Sequence, residues 1–313
     1  SIHADANGRG DGGSIVLWSD EATRVYGSLS ARGGAGGGNG GFIETSGGHL
    51  DARPASVRAD APAGAAGQWL LDPNDILITD DANTVDMTAG PSFTSLDDSA
   101  VISSSTIEAA LNDGNNVVVT TGHGGANSQP GDITVRSANI RVASKRRVSL
   151  TLAAERDIVV QNSSIIGAAG EQEVDLDVTL NAATGGGGGR IRILDSSIQT
   201  GGALTMRAPA MEFVGEGGFT AYVGGPIQLF TGSLANSASA DFSSSASGTA
   251  ILAAGFDGAS NIAQLSGTPI SLGAVHPAHR ADVQHTRPRG QAQDGGRPRG
   301  SGDERELRDL AAY

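Results

Sequence analysis

"VSLTLAAERDIVVQNSSI", residues 148–165, and "LDVTLNAATGGGGGRIRILDSSI", residues 176–198, can be written one above the other, and "GGALTMRAPAMEFVGEG", residues 201–217, continues the alignment. The central threonines fall at Thr151, Thr179 and Thr205, separated by 28 and 26 residues. Self-similarity at such a period marks a repeat architecture. Beyond the threonines the first two units are offset by 33 residues, from Ile158 to Ile191, Val160 to Ile193 and Ile165 to Ile198. Five glycines, Gly185 to Gly189, account for the difference. Because they leave the flanking aliphatic positions in phase, they belong in a corner loop, where backbone freedom costs little packing.

Each unit alternates in the manner of a strand with one dry and one wet face. Leu176, Val178 and Leu180 oppose Asp175, Asp177 and Thr179; Ile191 and Ile193 oppose Arg190 and Arg192; Ile133 and Val135 oppose Asp132, Thr134 and Arg136. Hairpins announce themselves by two-residue Asn-Gly or Asp-Gly turns, whereas the connections here are longer and the likeness recurs at repeat length. Strands of this kind stack in parallel with like residues aligned. The sequence therefore predicts an all-β chain, a parallel β-helix (solenoid) with one short helix and a disordered C-terminal tail. At a strand spacing of about 4.8 Å, roughly ten to twelve turns would form a rod on the order of 50–60 Å long.

Composition narrows the function classes. The chain has 313 residues, 47 of them glycine, only 4% aromatic residues and no cysteine. Small aliphatic side chains are expected to fill the core, and neither disulfides nor thiolate metal sites are available. A formal charge of −13, with no phosphate-binding face of Lys and Arg expected before residue 276, argues against nucleic acid as a partner. No segment has the length and apolarity of a membrane span. The opening "SIHADANGRGDGG" has no basic start or apolar run, so a signal peptide is not expected in this chain and it reads as a fragment.

Several ordered stretches carry a family resemblance. "GGSIVLWSDEATRVYGSLSARGGAGGGNGGFIETSGGHLDA" (residues 12–52) is followed by "GAAGQWLLDPNDILI" (64–78), "SSSTIEAALNDGNNVVVTT" (103–121) and "GDITV" (131–135). In this order they resemble the filamentous haemagglutinin-like large exoproteins of two-partner secretion systems. The resemblance implies a right-handed parallel β-helix and passage through a partner transporter pore in the outer membrane. It also implies an adhesin-like product, secreted or on the Gram-negative cell surface, that meets a host-cell or extracellular-matrix ligand. The N-P-N-G-I-type signature of that family's secretion domain is not found. On this reading the chain is not an enzyme and has no catalytic, cofactor-binding or metal site. The alternatives are a haem-acquisition exoprotein of the same secretion class and a polygalacturonase-like β-helix glycoside hydrolase.

Four segments follow: glycine-rich β-helix turns at 1–78, an acidic loop and short helix at 79–130, further turns at 131–275, and a tail at 276–313. In the second, Ser105 stands three residues before Glu108 as a capping box, with Ile107, Ala110 and Leu111 on one side and Asp113-Gly114 as a stop. The acidic residues Asp80, Asp81, Asp86, Asp97 and Asp98 match no calcium-loop spacing. Gly122-His123-Gly124, Asp97-Asp98 and Arg190-Ile191-Arg192 echo hydrolase motifs, but the pattern's N-T-D element reads Asn83-Thr84-Val85 and the arginine motif ends in Arg192. Gly8, Gly10 and Gly13, like Gly36, Gly38 and Gly41, satisfy a dinucleotide fingerprint without its strand-to-helix context and read as corner glycines. His3, His49 and His123 lack metal-ligand spacing. Arg9-Gly10-Asp11 is an integrin-type tripeptide in a glycine-rich loop. Asn162-Ser163-Ser164, a glycosylation sequon in form, reads as a turn repeated at Asp195-Ser196-Ser197. Trp18 and Trp69, each among apolar neighbours, are expected to fill the core or cap a row.

Past Thr205 the repeat loosens, with islands at 227–230, 251–252 and 270–272. Residues 1–275 carry 14 basic and 28 acidic side chains, whereas residues 276–313 carry 7 and 6. The low hydrophobicity of that last segment predicts disorder, and the abrupt change of composition suggests a shifted or truncated reading frame.

Overall fold

A computed structural model describes residues 1–80, 99–122, 129–169, 172–236, 240–244, 250–254, 264–267 and 270–272. The tail at 276–313 lies outside them. The described chain is dominated by strands, gathered in a twenty-stranded and a three-stranded sheet with a single short helix. Among the described residues every strand pairing is parallel except Ala168–Glu173 and Ala169–Gln172, so the expected parallel pairing is observed.

The pairings form three ladders. In the first, Ile15, Ile43, Trp69, Val117, Leu150, Val178, Leu204 and Ile227 align strand upon strand. Each of these is 5% exposed or less. In the second, Ile76, Ile133, Ile158, Ile191, Met211 and Leu234 align, and in the third Ile140, Ile165, Ile198, Ala221 and Phe242. All three columns belong to one buried cluster. Thr151, Thr179 and Thr205 face one another as the repeat requires. The offset of 33 is also realised, with Ile158 on Ile191 and Ile165 on Ile198. Each aliphatic side chain in these columns contributes roughly 1.5–3 kcal/mol by leaving water. The loosening past Thr205 does not break the stack. Strand Leu204–Val223 is the longest and takes part in all three ladders.

Aromatics matter more to the core than their number suggests. Phe213, Phe219 and Phe242 pack with ring centroids 5.4–5.6 Å apart, around the position where the third column narrows to Ala221. Trp69 is fully buried, and its indole N–H donates to Thr45 Oγ1 at 3.2 Å. Trp18, expected to fill the core or cap a row, is 64% exposed. It alternates with Ile15 and Leu17, which turn to the core, and so lies with Val16 on the outward face of strand Ser14–Val25.

The glycine-rich corners have a steric cause. Gly13, Gly41 and Gly67 lie one over another at the entrance to the first ladder, and Phe42, Gln68 and Asn116 donate from the backbone to their carbonyls. A Cβ on Gly41 or Gly67 would run into the backbone of the glycine beneath it. Gly186, Gly187 and Gly188 have nothing near a would-be Cβ, as expected of a corner excursion.

A helix interrupts the third ladder. Helix Ser104–Asn112 packs between strand Ser56–Arg58 and strand Asn139–Val142, with Ile107, Ala110 and Leu111 buried as expected. Its cap is not Ser105 but Ser103, whose extended backbone (φ −71°, ψ 135°) lets its hydroxyl accept from Ser105 N. Glu108, freed from a capping box, accepts from Arg141 N at 3.0 Å. One turn later Asn112 accepts from Ala143 N at 2.7 Å and donates to Arg141 O at 3.3 Å. These two side chains stand in for the edge of a missing strand. On the opposite side Asn115, fully buried, accepts from Ala59 N at 2.5 Å and donates to Val57 O at 2.8 Å and Ala110 O at 2.6 Å. Backbone groups that would otherwise be orphaned are thereby satisfied.

Candidate binding groove

The corner between the second and third ladders repeats one local device. Ser137, Asn162 and Asp195 all adopt the left-handed region, with φ of 49°, 48° and 46°, where Asn and Asp are tolerated better than most residues. The Asn-Ser-Ser and Asp-Ser-Ser motifs are therefore turns, as expected. The residue after each turn points inward: Ala138, Ser163 and Ser196 are buried. Ser163 Oγ donates to Gln161 O at 2.7 Å and accepts from Ala138 N at 3.2 Å. Ser196 Oγ repeats this, donating to Leu194 O at 2.6 Å and accepting from Ser163 N at 3.2 Å. Each serine thus closes its own turn and ties it to the turn below.

The next residues face outward and align as Asn139, Ser164, Ser197 and Thr220. With the turn residues Asn162 and Asp195 and with Gly217 and Gly218, they line an open groove of about 480 Å³. Gly217 and Gly218 donate to Asp195 Oδ1 at 2.5 and 3.2 Å. A second outward row, Arg141, Ile166, Gln199 and Tyr222, runs beside the groove without lining it. Tyr222 is 44% exposed.

One end of the groove is rigidly organised. Asp80 accepts from Asn139 N at 2.8 Å and Asn139 Nδ2 at 2.7 Å, and also from the Ser104 hydroxyl. Burial opposes ionisation of Asp80, but these donors outweigh it and hold the carboxyl below its ordinary value. Ser164 Oγ in turn donates to Asn139 Oδ1 at 2.7 Å. Along the rest of the groove the side chains of Asn162, Ser197 and Thr220, and on the row beside it those of Gln199 and Tyr222, make no hydrogen bond among the described residues.

The residues singled out from sequence do not assemble into a catalytic centre within the described chain. Asp81, Asp86, Asp97, Asp98 and His123 lie outside it. Arg190 pairs with Asp157 at 3.7 Å and Glu212 at 3.0 Å, and Arg192 with Glu212 at 3.4 Å, so both serve a cross-strand charge row with Ile191 buried beneath. Arg9 Nε donates to Gly36 O at 3.0 Å, and Asp11 accepts from Asn39 N at 2.7 Å; both side chains fasten the neighbouring glycine loop. Burial pushes the carboxyl of Asp72 up, aided by Glu44 and Glu155 and opposed by the Thr120 hydroxyl. Asp75 is raised by burial too, although it accepts from Gly131 N and Asp132 N at 2.8 and 2.7 Å. His3 sits 3.6 Å from Asp5, and His49 is buried. Among the described residues no group of three or more His, Asp or Glu is placed to hold a metal ion. No described helix is long and apolar enough to cross a membrane.

The groove itself was not read from the sequence. Its lining comes from strands 23–33 residues apart, and the one visible signal was the repeated Asn/Asp-Ser-Ser turn. No protein-family model matches the chain, and no curated protein matches it.

Proposed function

We propose that the chain is a segment of a right-handed parallel β-helix in a secreted or surface-exposed bacterial exoprotein of the filamentous haemagglutinin-like kind. On this reading it is a non-enzymatic rod that carries binding surfaces on its corners and outer faces and reaches the outside through an outer-membrane transporter. The observation that carries the reading is the threefold parallel ladder. Strands return at the repeat length, aliphatic side chains pile in continuous internal columns, and turn chemistry recurs at one corner. Such stacking makes each repeat depend on its neighbours and leaves its outer face to recognition. The ordered motifs of residues 12–135 supply the likeness to the exoprotein family.

Antibodies raised against the purified chain test the reading on intact producing cells. Labelling of unbroken cells, or recovery of the protein from the medium, is the expected outcome. Labelling that appears only after lysis would refute it.

A further inference from the structure

The groove along the third ladder has features that nothing in the folding of the chain uses. Its lining holds hydrogen-bonding groups without internal partners, the Asn162 amide and the Ser197 and Thr220 hydroxyls, and the Gln199 amide stands on the row beside it. The buried Ser163 and Ser196 beneath them are paired within the protein, whereas these outward groups are left to solvent or to a ligand. The free groups recur from strand to strand, so they are spaced by about 4.8 Å along the stack. A pyranose ring is about as long as that step.

Three further observations select the ligand. The groove is open and spans four strands, from Asn139 to Thr220, which suits an extended chain better than a small molecule that needs enclosure. Tyr222, two residues beyond Thr220 on the row beside the groove, offers a half-exposed ring, and tyrosine combines an apolar face with a polar tip. The lining contains no Lys or Arg, and its ionisable member is the carboxylate Asp195, in a chain of net charge −13. Arg141 stands at the far end of the row that carries Gln199 and Tyr222, three strands from Tyr222. A polyanion would be repelled, whereas a neutral chain rich in hydroxyls would satisfy the free amides and hydroxyls.

We infer that this groove binds a linear, uncharged polysaccharide laid along the stack, with a ring against Tyr222 and hydroxyls on Asn162, Ser197, Thr220 and Gln199. The inference deepens the binding-rod reading above by naming the ligand class of one surface. It depends on the observed strand register and not on export.

Calorimetric titration of the purified chain tests it with β-1,4-linked hexasaccharides of glucose, mannose and N-acetylglucosamine, with free glucose, and with hexagalacturonate. At least one neutral hexasaccharide is expected to bind tenfold or more tightly than glucose or hexagalacturonate. Tyr222→Ala, and separately the double variant Ser197→Ala with Thr220→Ala, should weaken that binding about tenfold without changing the Tm. Absence of binding to all three neutral hexasaccharides overturns the inference, as does equal binding of hexagalacturonate or full binding by Tyr222→Ala. Surface labelling is independent of these results: binding by a chain confined inside cells would remove the export reading alone, and a surface protein that binds none of the probes would remove the groove alone.

Discussion

The third ladder is built in two ways. From Asn139 onward strands lie directly on strands, and Ser163 and Ser196 seal the turns between them. Between Ser56–Arg58 and Asn139–Val142 a helix takes the strand's place, and three side chains, Glu108, Asn112 and Asn115, offer the hydrogen bonds that a backbone would have supplied. A strand edge needs no particular side chain to satisfy its neighbour. A helix turns its backbone groups inward on itself, so its docking against a strand edge is written in specific residues and becomes sensitive to single substitutions.

The largest expected effect falls in the strand-only half. Phe219→Ala removes a buried ring stacked on Phe213 and should cost about 3–5 kcal/mol. Chemical denaturation followed by the emission of buried Trp69, on the far side of the helix, shows whether the two halves melt together. One shared transition is expected; an unshifted Trp69 transition would mean that the helix uncouples them. Asn115→Ala comes next, with about 2–4 kcal/mol expected because Ala59 N, Val57 O and Ala110 O lose a partner in a site sealed from water. A loss near zero would show that the helix docks through its apolar face alone.

Capping gives a smaller contrast. Ser103→Ala should cost about 1 kcal/mol, and Ser105→Ala less than about 0.5 kcal/mol, in parallel urea melts. The reverse order would restore the capping box read from the sequence. The smallest effect is pH-dependent and concerns Asp80, which joins the helix at Ser104 to the strand at Asn139. Its folded-state carboxyl titrates below the ordinary value of 3.8. Its contribution is therefore present above that value and lost as pH falls through the lower folded value. Asp80→Asn should flatten that part of the acid limb of stability, and an unchanged acid profile would show that the bridge contributes nothing.

What the sequence made legible follows from the same contrast. The columns through Leu150, Val178 and Leu204 could be read because aliphatic residues recur at a fixed period and leave a pattern along one chain. The helix was legible as a helix through Ile107, Ala110 and Leu111, but its start was not, since Ser103, Ser104 and Ser105 are equivalent on paper and only the extended backbone at Ser103 selects one. Trp18 has apolar neighbours that imply a core or the cap of a row, whereas strand alternation with Ile15 and Leu17 turns it outward. The groove was beyond reach for a related reason. Ser164, Ser197 and Thr220 are ordinary polar residues until the register sets them side by side.

The five-glycine excursion at Gly185–Gly189 has its own consequence. A side chain at Gly186, Gly187 or Gly188 would meet nothing, while the strands on either side keep their places over Val148–Ala153 and Ile158–Gln161. Chain length at that bend is thus decoupled from the packing beneath it. Slippage in the underlying codons could lengthen or shorten the bend between generations, and a foreign epitope spliced there would be displayed at little cost to the scaffold that holds it.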